Sequence, residues 1–317
     1  MRNGAGLTLL FLGCAAAACV GEIGGDRPAG DEPTSKPESC AAGGAARSPL
    51  RRLSRAEYRA TVSDLLDVEP PSLDDFVDDE VHNGFDRNVT AASELAVDRY
   101  RAQAESLAAD ARVRFVDLVP CEWEESACAE SWLASFGMRA MRRPLDADEL
   151  ASLVALYEAE RAVSDATTGL EVAVQGLLMS PHFLYHVEIG GTPDESGAIL
   201  LTSYEVASRL SYFLWGSMPD EDLFAAAADG TLDSPEGIGA QARRMLEDPK
   251  AEQMLREFQR QWLDLRRIDD FARDPEAFPD WDPAMLESMK LETQTFFPKV
   301  VLEGDGRLET LLTAPYS

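Results

Sequence analysis

The chain has 317 residues, with 29 Lys or Arg against 57 Asp or Glu, and its formal net charge is −28 at pH 7. Such an acidic chain is repelled by phosphate backbones, which argues against nucleic-acid binding. Its hydrophobic content of 45% and its length exclude a wholly disordered chain and predict two or three helical units.

The N-terminal residues have the pattern of an export signal. Arg2 is followed by a short apolar run that ends in small residues at Ala18, as in signal peptides. The run is shorter than the about 20 residues that a membrane-spanning helix needs. Cys19 comes directly after the small residues and resembles the lipobox cysteine of bacterial lipoproteins. We expect residues 1–19 to be a lipoprotein signal peptide with lipidation at Cys19; plain secretion and acylation at Cys14 are the alternatives.

Residues 20–50 are rich in Gly, Pro, Ala, Ser and acids and have no apolar periodicity. This composition is typical of a flexible, disordered tether. We therefore expect an exported protein of the bacterial cell envelope. It would lie on the periplasmic or outer-membrane surface and contact the membrane through its N-terminal lipid.

The positions of the cysteines predict a disulfide and argue against covalent haem. Cys121 and Cys128 lie seven apart, and in an oxidising compartment we expect them to form a disulfide. Two metal ligands are the alternative, which no CxxC motif or nearby histidine supports. The sequence has no CxxCH motif, so covalent c-type haem is not expected.

Helix-start signals and three- to four-residue apolar spacing recur along the rest of the chain. Period-two runs are short and show no hairpin dipeptide, so we predict an all-α fold, a multi-unit array of helical bundles. The predicted helices run over Ser54–Leu66, Glu94–Phe115, Cys128–Met141, Asp146–Val163 and Thr167–Met179, and further helices begin at Thr202, Asp220, Ser234, Asp248 and Asp282. Val206, Leu210, Phe213 and Leu214 are the apolar residues of the Thr202 helix.

Three groups of motifs resemble known families. The string from Arg52 to Tyr58 with Gly84-Phe85-Asp86 resembles the third planctomycete secreted-domain family. Cys128, Arg142-Arg143-Pro144-Leu145 and the string from Ser180 to Tyr185 resemble the fifth. The string from Tyr204 to Trp215, with Met218-Pro219-Asp220 and Gln261-Trp262-Leu263, resembles the fourth.

The resemblance implies three helical domains, over 51–116, 121–190 and 200–317, with the last one incomplete. It implies no activity, because these are domains of unknown function in exported proteins of planctomycetes and myxobacteria. Some relatives carry a c-type cytochrome domain, which implies redox or polymer-degrading work at the envelope.

The loop before the second helix is the densest cluster of oxygen ligands in the chain. Its members are Asp74, Asp75, Asp78, Asp79, Glu80, Asn83, Asp86 and Asn88. Calcium takes six to eight such oxygens, often from one flexible loop. Asp78, Asp79, Glu80 and Asp86 are therefore the candidate metal ligands, and a solvated acidic loop is the alternative.

Three arginines stand out against the acidic background. Arg139, Arg142 and Arg143 are candidate ligands for an anion or a substrate carboxylate. The alternative is internal pairing with acids such as Asp146 or Glu149.

Histidines and aromatic residues offer two further candidate sites. On a helix, His182 and His186 would share one face, as in a metal site, and a surface or capping role is the alternative. Tyr212, Trp215 and Trp262 could stack on sugars or belong to the core.

The sequence contains no GxSxG, HExxH, P-loop or dinucleotide fingerprint. The lack of these catalytic motifs argues against an enzymatic function. We expect a lipid-anchored binding or scaffold module of a cell-envelope system, with an envelope protein or a redox protein as partner. The alternative is an enzyme or redox accessory subunit that acts on extracellular polymer.

Overall fold

The structure, a computed structural model, describes residues 49–68, 72–73, 75–195, 197–269, 274 and 276–315. They belong to one contact unit, Ala45–Ser317. The predicted signal peptide, the lipidation at Cys19 and almost all of the predicted tether lie outside the described residues.

Helices dominate the described part of the chain, which confirms the predicted all-α class. No described helix has both the length and the apolar character needed to span a bilayer. The α-helices are α1 (Arg55–Leu66), α2 (Glu94–Arg112), α3 (Phe115–Leu118), α4 (Ser126–Met141), α5 (Ala147–Val163), α6 (Ala166–Leu178), α7 (Pro181–Leu184), α8 (Ser203–Trp215), α9 (Glu221–Ala228), α10 (Pro235–Leu246), α11 (Pro249–Trp262), α12 (Arg266–Asp269), α13 (Pro283–Pro298) and α14 (Leu308–Thr313). A 3-10 turn covers Thr231–Asp233, and a π-helical turn covers Lys299–Glu303.

Local capping explains where the long helices begin. The side chains of Ser54, Asp146 and Thr202 each accept a hydrogen bond from a backbone N–H of the first turn. The carboxylate of the glutamate three residues on accepts a hydrogen bond from the backbone N–H of the cap residue, so each of the three helices begins with a complete capping box. Helix α6 begins at Ala166, because Asp165 caps it one residue earlier than predicted.

Two short antiparallel strand pairs were not predicted. Strand β1 (Arg51–Arg52) pairs with β4 (Tyr185–His186), and β2 (Val81–His82) pairs with β3 (Phe85–Asp86). The β2–β3 turn is Asn83-Gly84, with φ of 54° and 88°. Both angles lie in the left-handed region, as in a type I′ hairpin turn. The expectation that the short period-two runs show no hairpin dipeptide is therefore wrong at Asn83-Gly84.

Two hydrophobic clusters organise the described residues. The larger one combines side chains from α1, α2, α4, α5 and α6, among them Tyr58, Leu107, Trp132 and Leu170. The smaller one gathers α8 to α11 around Trp215. The helices of 51–116 and of 121–190 thus share a single core.

The disulfide between Cys121 and Cys128 closes the segment that leads into α4, with a Cα–Cα distance of 6.0 Å. Trp123 lies inside this loop, and its carbonyl accepts a hydrogen bond of 2.6 Å from the Tyr157 hydroxyl. The loop is thereby attached to α5.

Candidate functional site

A cleft of about 560 Å³ lies where all three predicted helical regions meet. Arg51, Glu57 and Phe85 come from the first region and His186 from the second. Phe213 comes from the third. A site at such a junction is formed only when the three regions have folded together.

Glu57 and His186 form a largely buried pair in the wall of the cleft. Because β1 pairs with β4, Arg51 lies opposite His186 in the register. Glu57, in the first turn of α1, accepts a hydrogen bond of 2.8 Å from the Ser54 backbone N–H and one of 2.9 Å from Arg51 Nη1. His186 Nε2 lies 3.3 Å from Glu57 Oε2. Both side chains are thus held by neighbours within the protein.

Electrostatics fix the charge states of this pair. Burial lowers the pKa of His186 below its ordinary value, the Glu57 charge opposes this, and the positive charges of Arg51 and Arg142 lower it further. Burial acts to raise the pKa of Glu57, but the imidazole, Arg51 and the Ser54 N–H together hold it well below its usual range. At neutral pH the pair is a carboxylate that accepts a hydrogen bond from a neutral imidazole.

Tyr212 connects this pair to a second polar group. The edge of its buried ring packs against His186, with ring centroids 4.4 Å apart and planes at 88°. Its hydroxyl lies 2.8 Å from Thr61 Oγ1 and 3.4 Å from Arg142 Nη1. One residue from each region therefore contributes to one buried network.

The three candidate anion-binding arginines have partners inside the protein. Arg142 is 3% exposed and donates to the backbone carbonyls of Ala140, His182, Phe183 and Tyr185. Arg139 donates to the Asp64 carbonyl at 2.9 Å. Arg143 binds Glu149 with two bonds of 2.8 and 2.7 Å, the internal pairing considered as the alternative.

The four candidate metal ligands of the acidic loop are engaged by protein donors. Asp79 accepts from the Arg55 backbone N–H and from Asn88, and Glu80 accepts from Thr90. Asp86 pairs with Arg266 at 2.6 Å, and Asp78 pairs with Arg55 at 2.8 Å. Within the described ranges, which omit Asp74, no group of three or more His, Cys, Asp or Glu is arranged to hold a metal ion.

His182 and His186 do not share a helix face, so the helical premise of that candidate metal pair is wrong. Helix α7 ends at Leu184, and His186 lies in β4. His182 Nδ1 lies 3.2 Å from Arg143 Nη2. The two imidazoles contact different carboxylates, Glu149 and Glu57.

The aromatic residues divide between core and surface. Tyr212 and Trp215 are buried, whereas Trp262 is 42% exposed and Phe213 is 72% exposed. Phe213 lines the cleft, where Phe85 of β3 stacks on Phe258 of α11 at 5.5 Å. Adjacent helical residues point about 100° apart, so burial of Tyr212 turns Phe213 outward.

A second cavity of about 320 Å³ lies next to the cleft along α1. The two cavities share Ala56, Ala60, Trp215 and Gln253. Small residues on this side of α1 leave space between α1 and the helices α8 and α11. We call the combined cavity the α1 groove.

Three protein-family models match the chain. Residues 51–113 match PSD3 (DUF1587), residues 128–188 match PSD5 (DUF1595) and residues 201–317 match PSD4 (DUF1592), each described as a protein of unknown function. Comparisons with curated proteins and with solved structures find no match.

Proposed function

We propose that this protein, which carries the third, fifth and fourth planctomycete secreted-domain families in that order, is a lipid-anchored binding module of a cell envelope. The short apolar run before Cys19 supports export and anchoring. The disulfide between Cys121 and Cys128 is consistent with an oxidising compartment.

The α1 groove is the observation that carries the binding role. It combines two adjacent cavities that share four lining residues, and two cavities in a row along α1 suit an extended chain. Its walls come from all three domains, so a bound chain would contact the assembled protein. We propose that this groove binds an envelope or extracellular polymer.

Binding fits the groove better than turnover does. A general acid or base must reach the substrate within hydrogen-bond distance. The Glu57 oxygens are bonded to Arg51, the Ser54 N–H and His186, and the His186 side chain is only 6% exposed. The rival function is an enzyme acting on extracellular polymer. This pair is its candidate acid and base, because both groups line the cleft and have shifted pKa values.

Filling the groove tests the binding role. Ala60→Trp places an indole in the groove, whereas Ala102→Trp places one on the exposed face of α2. Polysaccharides and unstructured peptides are the probes, with binding and release of new chain ends both measured. We expect binding without new ends, lost in Ala60→Trp and kept in Ala102→Trp. Equal binding by both variants contradicts the groove, and new ends that disappear in Glu57→Gln support the enzyme.

The anchor is tested separately. We expect acylation of the wild-type chain and of Cys14→Ala, detected by intact mass and by membrane fractionation. Cys19→Ala should lack the lipid and leave the membrane fraction. An unlipidated wild-type chain would contradict the anchor and leave the groove proposal unaffected.

A further inference from the structure

We infer that the chain bound in the α1 groove is an anionic polysaccharide, held by Arg59 and Arg87 and stacked on Phe213. The inference rests on the proposed function and adds the chemical class of the ligand. Three independent observations support it: the pairing of the acids in the groove, the two arginines, and the exposed ring.

Every carboxylate that lines the groove is neutralised by a protein cation. The pairs are Glu57–Arg51 at 2.9 Å, Asp64–Lys250 at 2.7 Å, Asp86–Arg266 at 2.6 Å, Glu188–Arg209 at 2.5 Å and Glu257–Arg260 at 2.6 Å. The groove therefore carries little of the negative charge that dominates the rest of the chain.

Two cations remain in the groove after this pairing. Arg59 lines the second cavity and Arg87 lines the first, and both are exposed. Neither guanidinium has an acidic partner among the residues that the structure describes. The side chains that line the groove therefore carry no net charge, in a protein of net charge −28. The two unpaired guanidinium groups favour an anionic chain by charge complementarity.

The exposed aromatic ring favours a sugar over an acidic peptide as the ligand. Phe213 is 72% exposed and lines the same cavity as Arg87. A pyranose ring offers a flat face of C–H groups that packs on an aromatic face. Carboxylate or sulfate groups along the sugar chain would meet the guanidinium groups, which bind either anion through paired donors.

Direct binding measurements on the full chain in detergent test the inference. The probes are polygalacturonate for carboxylate, dextran sulfate for sulfate, dextran for a neutral sugar and polyglutamate for an acidic peptide. We expect polygalacturonate or dextran sulfate to bind best and to weaken as salt is raised. The better of the two identifies the anion.

Variants assign the binding to the groove. Arg59→Gln and Arg87→Gln should each weaken binding about threefold to tenfold, and Phe213→Ala by a similar factor. Arg99→Gln and Arg243→Gln are the matched controls, since these arginines lie outside the groove and also lack an acidic partner in the described part of the chain. Phe278→Ala, at a residue 50% exposed, controls for loss of an aromatic side chain. Thermal unfolding of each variant checks that it folds.

Each other outcome overturns the inference in a recognisable way. Equal loss in the control arginine variants means a diffuse charge effect. If dextran binds and Ala60→Trp abolishes that binding, the groove binds sugar, but the ligand is not anionic. If polyglutamate binds as tightly as polygalacturonate, the ligand is an acidic peptide and not a sugar. If none of the four probes binds, the inference is wrong. If the other polysaccharides and unstructured peptides named under the proposed function also fail to bind, the binding role is wrong as well.

Discussion

The Tyr212 hydroxyl lies 2.8 Å from Thr61 Oγ1, although 151 residues separate the two side chains. Thr61 uses its single hydroxyl hydrogen to bond the Glu57 carbonyl at 2.7 Å, so Tyr212 is the donor in the shared bond. Arg142 donates in turn to Tyr212. The hydrogen bonds therefore run in one direction, from the second region through the third to the first.

Tyr212→Phe removes this connection while keeping the ring. We expect the free energy of unfolding to fall by about 1 kcal/mol, because Thr61 keeps its bond to the Glu57 carbonyl and Arg142 keeps its other acceptors. Urea unfolding measures the change. Tyr204→Phe, at a partly buried tyrosine that lacks a hydrogen bond among the described residues, should change stability little. Equal effects of the two substitutions would show that the Tyr212 hydroxyl contributes nothing specific.

Arg142→Met should destabilise the protein far more than a surface arginine substitution. The guanidinium donates to four backbone carbonyls, two of them in fully buried bonds, and leaving several without a donor costs about 3 kcal/mol or more. Arg256→Met, which removes an (i, i+4) surface pair with Glu252, is the control and should cost under about 0.5 kcal/mol. Denaturant midpoints compare the two, and similar losses would contradict the structural role of Arg142.

Acid should weaken the protein through His186 before it reaches the carboxylates. Because the folded state lowers the pKa of His186, its contribution is complete above its ordinary pKa of about 6.5. That contribution is lost as pH falls from there through the lowered folded value. Urea midpoints between pH 7.5 and about pH 5 should decline in wild type and stay flatter in His186→Gln. His82→Gln, at an exposed imidazole, should follow wild type, and a wild-type slope in His186→Gln would contradict the assignment.

Two glycines in helices should respond to alanine in opposite ways. A Cβ on Gly169 of α6 would lie 2.6 Å from the Tyr157 carbonyl oxygen of α5, so Gly169→Ala should cost about 1–3 kcal/mol through a shift of the helices. A Cβ on Gly239 of α10 meets only the flexible Arg243 side chain, at 3.7 Å. Gly239→Ala should therefore stabilise by about 0.5–1 kcal/mol. Thermal unfolding measures the change in stability of both variants. If Gly169→Ala is as stable as wild type, α5 and α6 are not in close contact.

Reduction of the disulfide should lower stability modestly. The loop between Cys121 and Cys128 is short, and closing a loop of this size contributes about 2 kcal/mol. The melting temperature of wild type should fall when a reducing agent is added, whereas a Cys121→Ser/Cys128→Ser variant should not respond. If wild type also fails to respond and both its thiols can be alkylated in the native state, the bond is absent.

The sequence predicted the elements whose signals are local. Ser54, Asp146 and Thr202 each carry a complete capping box within four residues, and the structure begins a helix at each. Asn83-Gly84 is an equally local signal that was overlooked. Pairing of β1 with β4 has no such signal, since two-residue strands leave no periodicity to detect.

The candidate site was less accessible to sequence reasoning. Glu57 carries a capping signal, but its contact with His186 spans 129 residues and depends on that strand pairing. The early end of α7 at Leu184 moved His186 off the helix on which its spacing with His182 was interpreted. The exposure of Phe213 follows from which α8 residues the neighbouring helices bury, and that is a tertiary property.

The pairing of β1 with β4 also limits how early the N-terminal part of the chain can complete its folding during synthesis. Synthesis runs from the N-terminus. Arg51 therefore cannot pair with His186, its partner in the register, until 135 further residues have been made. The core shared by the first two regions waits as well, because α6 supplies Leu170 and Leu177 to it. For that interval the apolar faces of α1 and α2 have each other, through the contact of Tyr58 with Tyr100, but lack the cover that α6 later provides. Such incompletely buried apolar surface is prone to aggregation.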